Sequence, residues 1–269
     1  MLTLPPTPQT EWGIWHALEF SLLGAGAGLG ALVSVLALPV RLDVVAAGLV
    51  ALGGLVLLGT LTRPLRAIGA VRNQAMTWIS RGAAADFAFI ALALVAGVFG
   101  LDDLSPAVLG VAIVVMLYPA LAMRTLRSVP SWGGWSLPSL FACDAVASGA
   151  VLCALLADVD RGWVAGLAVA SAVFRAVYAA ALAQHDMALV RLRSFRTVFA
   201  TSAAVLAAAG AVALNAVPIP SLVALALATG AGAFAVKAFV LRTGTKRGLR
   251  RARAPRNVHT GILSEERRV

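Results

Sequence analysis

Apolar runs, each about the 20 residues that a helix needs to cross the hydrocarbon core of a bilayer, alternate with short polar stretches along almost the whole of this chain of 269 residues. Reading run length against prolines, glycines and charges predicts eight transmembrane spans. They lie at about residues 15–38, 44–61, 84–99, 106–123, 137–157, 163–183, 197–213 and 222–241. Pro39 closes the first span, and Asn215, Pro218 and Pro220 form a turn ahead of the eighth. The expected fold class is an all-α polytopic membrane protein, a bundle of eight transmembrane helices over residues 1–241. Residues 242–269 form a basic tail, expected to stay outside the membrane without fixed structure.

Composition sharpens this reading. Hydrophobic residues make up 60% of the chain and charged residues 13%, against about 25% charged in a soluble domain; the mean hydropathy is +0.90. The net charge of +10 does not indicate nucleic acid, because the basic residues sit between and after the apolar runs. They also alternate from one connection to the next. Arg63, Arg66, Arg72 and Arg81 follow span two, Arg124 and Arg127 follow span four, and Arg191, Arg193 and Arg196 follow span six. Odd-numbered connections are balanced or acidic, with Arg41 beside Asp43, then Asp102 and Asp103, then Asp158 and Asp160 with Arg161. The positive-inside rule then puts both termini and the even connections in the cytoplasm.

Residues 1–10 are polar and proline-rich with no basic or twin-arginine lead, so no removable targeting segment is expected there. Cys143 and Cys153 share one span and are separated on it by about 80° and 15 Å, which excludes a shared metal or a disulfide within one straight helix. Iron–sulfur clusters commonly need four cysteines, so neither a metal nor a haem is expected in this chain. Gly24, Gly26, Gly28 and Gly30 lie within span one, where no βαβ unit exists to make a nucleotide loop. Overlapping GxxxG patterns there predict close helix packing.

Ionisable groups within a bilayer are costly and mark candidate sites. His16 and Glu19 share a face of span one; Asp86, Asp144, Arg175 and Lys237 lie in spans three, five, six and eight. All six are expected in the half of the membrane nearest the arginine-rich connection after span two. A quinone site needs an apolar slot, a hydrogen-bond partner for the ring oxygens and a proton relay. His16, Glu19, Asp86 and Asp144 are the candidates for the last two. Structural roles are open beside the functional ones: His16 and Glu19 at the interface, Arg175 or Lys237 snorkelling, Asp144 paired with Arg175. Neither a nucleophile–base signature nor a P-loop or HExxH motif occurs, so no catalytic residue is expected.

Two ordered motifs carry a family resemblance. Arg63-Pro64-Leu65-Arg66-Ala67, followed by Trp78-Ile79-Ser80-Arg81, resembles the Gly-Arg-Pro-x-Arg-Ala … Trp-Leu-Ser-Arg-Glu element of the DmsC/NrfD-like family. These are the membrane-anchor subunits of molybdopterin oxidoreductases such as dimethyl sulfoxide reductase. Val129-Pro130-Ser131-Trp132 through Trp135-Ser136-Leu137-Pro138 resembles that family's Val-Pro-x-Trp … Trp-x-x-Pro element before the fifth helix, and Glu11-Trp12 ahead of a glycine-rich first span also fits. The family often carries a histidine where this chain has Thr60, and a glutamate where it has Gly82. Thr60 therefore joins the quinone-site candidates by position; either other groups such as His16, Glu19 or Asp86 supply the relay, or the quinone is handled differently, or the subunit anchors its partner without oxidising quinol.

The resemblance implies an anchor in the bacterial cytoplasmic (inner) membrane that exchanges electrons between a quinone, menaquinone or ubiquinone, and an iron–sulfur subunit. A molybdopterin catalytic subunit would complete the complex. Arg63, Arg66, Arg72, Trp78, Arg81, Trp132 and Trp135 would dock the partner, since Arg forms bidentate pairs with carboxylates. A transporter, or a non-redox scaffold of the same helical class, is the competing reading. Against a transporter, the sequence shows no clear internal repeat and no matched pair of broken spans.

Overall fold

The computed structural model describes residues 7–8, 13–60, 78–125, 132–185, 193–213, 218–243 and 245–246. Among them are eight long helices: α1 (Ile14–Val35), α2 (Leu42–Thr60), α3 (Trp78–Phe99), α4 (Ser105–Arg124), α5 (Ser136–Leu156), α6 (Arg161–His185), α7 (Arg193–Ala213) and α8 (Pro218–Thr243). Each is long and apolar enough to cross a membrane, so the chain is an all-α bundle of a multi-pass membrane protein.

Local signals explain the ends. Gly100, at φ +67°, terminates α3, and the Leu101 N–H returns to the Ala96 carbonyl at 3.0 Å, which satisfies one of the carbonyls a helix end leaves free. Pro106 occupies the first turn of α4, where its missing N–H costs nothing. Ahead of α6, the Asp160 carboxylate accepts the Gly162 N–H at 2.7 Å. One boundary corrects the sequence reading: Trp78 to Arg81, assigned there to a connection, forms the first turn of α3. A helix can run past the hydrocarbon region into polar surroundings, where a hydropathy criterion no longer sees it.

Helices α1 to α4 pack successively with α4 returning to α1, and α5 to α8 do the same with α8 returning to α5. The two four-helix rings meet where α1 lies against α5 and α8. That division into matching halves has no clear counterpart in the sequence. Thr7–Pro8 pairs antiparallel with Thr245–Lys246, which brings the two ends of the bundle sequence to one face, called here the terminal face.

Small residues make the central seam. A Cβ on Gly28 would overlap the backbone of Ala145 in α5, and one on Gly149 would overlap the backbone of Gly28. The expected glycine packing is therefore present, with the two backbones in direct contact. The alternate glycines serve other neighbours: a Cβ on Gly26 would stand 2.6 Å from the Ala46 carbonyl oxygen of α2, and one on Gly30 would stand 2.8 Å from the Phe89 ring of α3. Without a hydrophobic force between helices in lipid, such close van der Waals contact drives association.

Candidate functional site

Glu19, Asp86 and Tyr118 come together from α1, α3 and α4. At 1.5 Å per residue they lie about 8, 12 and 9 Å from the terminal face. The Tyr118 hydroxyl donates to Asp86 Oδ2 at 2.9 Å. Tyr118 reaches that position because residue 82, one turn before Asp86 on the same face of α3, is glycine, and any Cβ there would overlap the phenol ring. Glu19 is buried at 3% exposure, within electrostatic reach of Asp86. Glu19 Oε2 and Asp86 Oδ1 are both buried without a hydrogen-bond partner. Two carboxyls with a free oxygen each, beside a phenol, can accept and hand on protons.

A second group fills the seam of the other ring. Arg175 Nε of α6 donates to Asp144 Oδ1 of α5 at 2.6 Å, both side chains being fully buried. The Ser171 hydroxyl donates to the same oxygen at 2.7 Å, and Arg175 Nη2 donates to the Thr229 carbonyl of α8 at 3.3 Å. Gly232 makes room for the guanidinium, which would collide with a Cβ at that position. Lys237 of α8 is buried too; its ammonium donates to the Phe20 carbonyl of α1 at 3.1 Å and stands 5.3 Å from the Phe141 ring centre. Of the open readings, Asp144 is thus paired with Arg175, and neither Arg175 nor Lys237 reaches outward to the headgroups. Both are enclosed by helices.

The third feature is a crevice of about 280 Å³ between α1, α5 and α8, with Leu49 of α2 at its edge. Leu18, Leu22 and Ala25 line one wall, and Leu152 and Phe234 line others. Three hydroxyl-bearing residues, Ser21, Ser148 and Thr229, interrupt this apolar lining. Helix α1 is the shared element, with Leu18 and Leu22 on the crevice side and Glu19 among the acids of the first ring.

The remaining candidates are dispersed. His16 is half-buried at the start of α1, its Nδ1 accepting the Gly13 N–H at 3.3 Å, with its ring centre 6.5 Å from that of Phe20. The Thr60 hydroxyl returns to the Leu57 carbonyl at 2.7 Å. Arg81 is exposed in the first turn of α3. Arg63, Arg66 and Arg72 lie outside the described residues. Trp135 is exposed with the Arg124 guanidinium 3.7 Å over its ring, and Arg124 Nε also donates to the Gly133 carbonyl. Trp132 differs from its sequence assignment as a docking residue. It is 1% exposed, and its indole N–H donates to the Val240 carbonyl at 3.2 Å, which fastens the segment before α5 to the end of α8.

Two buried groups were missed from the sequence as site residues. Tyr118 carries no charge and sits in an apolar run; only its ring's fit against Gly82 reveals its role. Asp43, read as a connection charge balancing Arg41, is fully buried with both carboxylate oxygens unpartnered. It lies at the face opposite the acid cluster.

No family model matches this chain, and no curated protein matches it. Among the described residues no three His, Cys, Asp or Glu side chains come close enough to hold a metal, and Cys143 and Cys153 are free thiols.

Proposed function

We propose that this chain is the quinone-interacting membrane anchor of a multisubunit oxidoreductase. It passes electrons between the quinone pool and an iron–sulfur subunit that carries them to or from a molybdopterin enzyme. The observation that carries the reading is the Glu19–Asp86–Tyr118 cluster, set in the half of the bundle nearest the arginine-rich connection between α2 and α3. A bound quinone supplies the two-electron, two-proton chemistry, and this chain's carboxyls move the protons. The motifs of that connection and of residues 129–138 supply the family context, and the arginines suit an acidic partner. On this reading the terminal face is cytoplasmic, as the charge bias of the connections requires.

Purification of the tagged protein from native membranes in mild detergent, with mass spectrometry and metal analysis, tests the assignment. Recovery of an iron–sulfur protein and a molybdopterin enzyme is expected, with iron and molybdenum or tungsten present. A lone protein without those metals, after controls for detergent dissociation, would remove the anchor reading. Arg63→Ala or Arg66→Ala is expected to release the partners while the anchor still inserts; partner activity fully retained on membranes in both variants would count against docking there.

Glu19→Gln and Asp86→Asn are expected to slow quinone turnover by about a hundredfold, the smaller end of what a positioned proton-transfer group contributes, with the complex still assembled. Unchanged turnover in both would move the relay elsewhere. A transport function gains from one observation, the pair of four-helix rings, since some transporters are built from parallel repeats. Substrate flux into vesicles holding the chain alone would favour it.

A further inference from the structure

At the terminal face one arginine is held in a fixed pose with no carboxylate to neutralise it. Arg124 is the last residue of α4, and its guanidinium lies 3.7 Å over the ring of Trp135, the residue before α5. Its Nε donates to the Gly133 carbonyl at 3.1 Å. Stacking and that bond together fix the plane of the group. The two Nη nitrogens meet no acceptor among the described residues, and the one ion pair there is Asp144–Arg175. The stretch 124–135 contains a second arginine, Arg127, and no acidic residue. Trp132 fastens the same segment to α8, so the pose does not rest on the stacking alone. An oriented guanidinium with both Nη nitrogens free is a receptor for an anion that presents two oxygens side by side.

Position along the helix says which anion. Helix α4 has 20 residues, about 30 Å, which matches the hydrocarbon thickness of a bilayer. Arg124 therefore stands at the level of the headgroups. Trp135, 66% exposed, lies at the depth that tryptophan prefers in a membrane. Below Arg124, at intervals of three and four residues, follow Leu121, Leu117, Val114 and Ile113. The first two are half-buried and the last two exposed, an apolar track on the outside of the bundle. A carboxylate on a soluble partner satisfies the guanidinium but makes no use of that track. A phospholipid fits both parts, with its phosphate against the Nη nitrogens and its acyl chains along α4. The uncompensated positive charge selects a lipid of net negative charge, as basic sites between membrane helices do.

We infer that Arg124 and Trp135 form a binding site for an anionic phospholipid headgroup at the terminal face, between the neighbouring ends of α4 and α5. The indole is open to the surroundings and the guanidinium is only partly covered, so the lipid reaches them without rearrangement of the bundle. Trp135, assigned to partner docking in the sequence reading, then faces lipid instead. The inference does not depend on the quinone or partner reading, because the site lies wholly within this chain.

For the test, the whole protein is purified in mild detergent and phosphatidylglycerol and phosphatidylcholine are titrated into it separately, with native mass spectrometry reading the bound fraction. The parent is expected to hold phosphatidylglycerol about fivefold more tightly, the worth of one basic residue at an anionic surface. Arg124→Gln is expected to erase that preference, and Trp135→Leu to weaken phosphatidylglycerol binding about threefold by freeing the guanidinium from its stack. Arg242→Gln is the control. It removes the same charge from an exposed position in the last turn of α8, on the same face, and should leave the preference intact. Elution position and melting temperature should match the parent in all three. Arg124→Lys keeps the charge without the planar fork and is expected to retain part of the preference. No preference in the parent, or an equal loss in Arg242→Gln and Arg124→Gln, overturns the site. Unchanged lipid binding in Arg124→Gln overturns it too; release of an iron–sulfur protein from native membranes by that same variant would then assign the surface to partner docking.

Discussion

Gly149→Leu is expected to abolish folded protein. The side chain would have to occupy space filled by the Gly28 backbone, and backbone, unlike a flexible side chain, cannot turn aside. Overpacking a core costs about 1–3 kcal/mol where neighbours can shift; here α1 and α5 would have to separate along the seam that joins the two rings. Separation would also move the Phe20 carbonyl away from Lys237 and open the wall of the crevice. Gly110→Leu and Gly166→Leu are the controls, since a Cβ at either position meets nothing within 4 Å and both glycines are exposed. Fluorescence-detected size exclusion should show a monodisperse peak for both controls and aggregate or no peak for Gly149→Leu. A normal peak for Gly149→Leu would mean that α1 and α5 are not in backbone contact.

Asp144→Asn is expected to destabilise the protein more than Arg175→Ala, although each removes one half of the same ion pair. Breaking a buried pair costs about 3–5 kcal/mol through the charge left behind. The charge left behind differs. Asp144, Arg175 and Lys237 together carry a formal +1; removing the carboxylate leaves two cations enclosed by helices, whereas removing the guanidinium leaves one carboxylate and one ammonium, a formally neutral set. Arg175→Ala also frees the space beside Gly232 that the guanidinium fills. Replacing both members together, Asp144→Leu with Arg175→Met, is expected to recover much of the loss, because isosteric apolar groups remove the desolvation cost along with the attraction. Melting temperatures in one detergent should rank parent, double variant, Arg175→Ala and Asp144→Asn in descending order. Equal melting temperatures for the two single variants would show that Lys237 does not compensate.

Much of this protein was legible from the order of its residues. Span count, span positions and the glycine contacts of α1 followed from run length and GxxxG spacing, because a bilayer demands a helix of fixed length and admits close packing mainly through small residues. The clustering of His16, Glu19, Asp86, Asp144, Arg175 and Lys237 towards one half was legible for the same reason. Position along a membrane helix is depth, at about 1.5 Å per residue, and these six fall within about 15 Å of the terminal face. Trp132 was misread because an aromatic beside a helix end looks the same whether it meets a partner or its own chain. Only the packing of α8 against that segment decided the matter.

Sequence by itself determined the solvent, the elements and the depth of each polar group. All three depend on one coordinate, the distance along a helix, and hydropathy records that coordinate directly. Tertiary structure decided which polar groups meet. Gly82 gave no sign that the Tyr118 phenol would fill its place and reach Asp86, and Asp43 gave none that its carboxylate would be buried without a partner. The rotation of each helix and the choice of neighbours settle such encounters. In these helices apolar residues surround the whole circumference, so periodicity alone does not tell the face that meets lipid from the face that meets protein. The two rings, the acid cluster within the first and the crevice between them arise from contacts across α1, and no stretch of the chain read alone contains them.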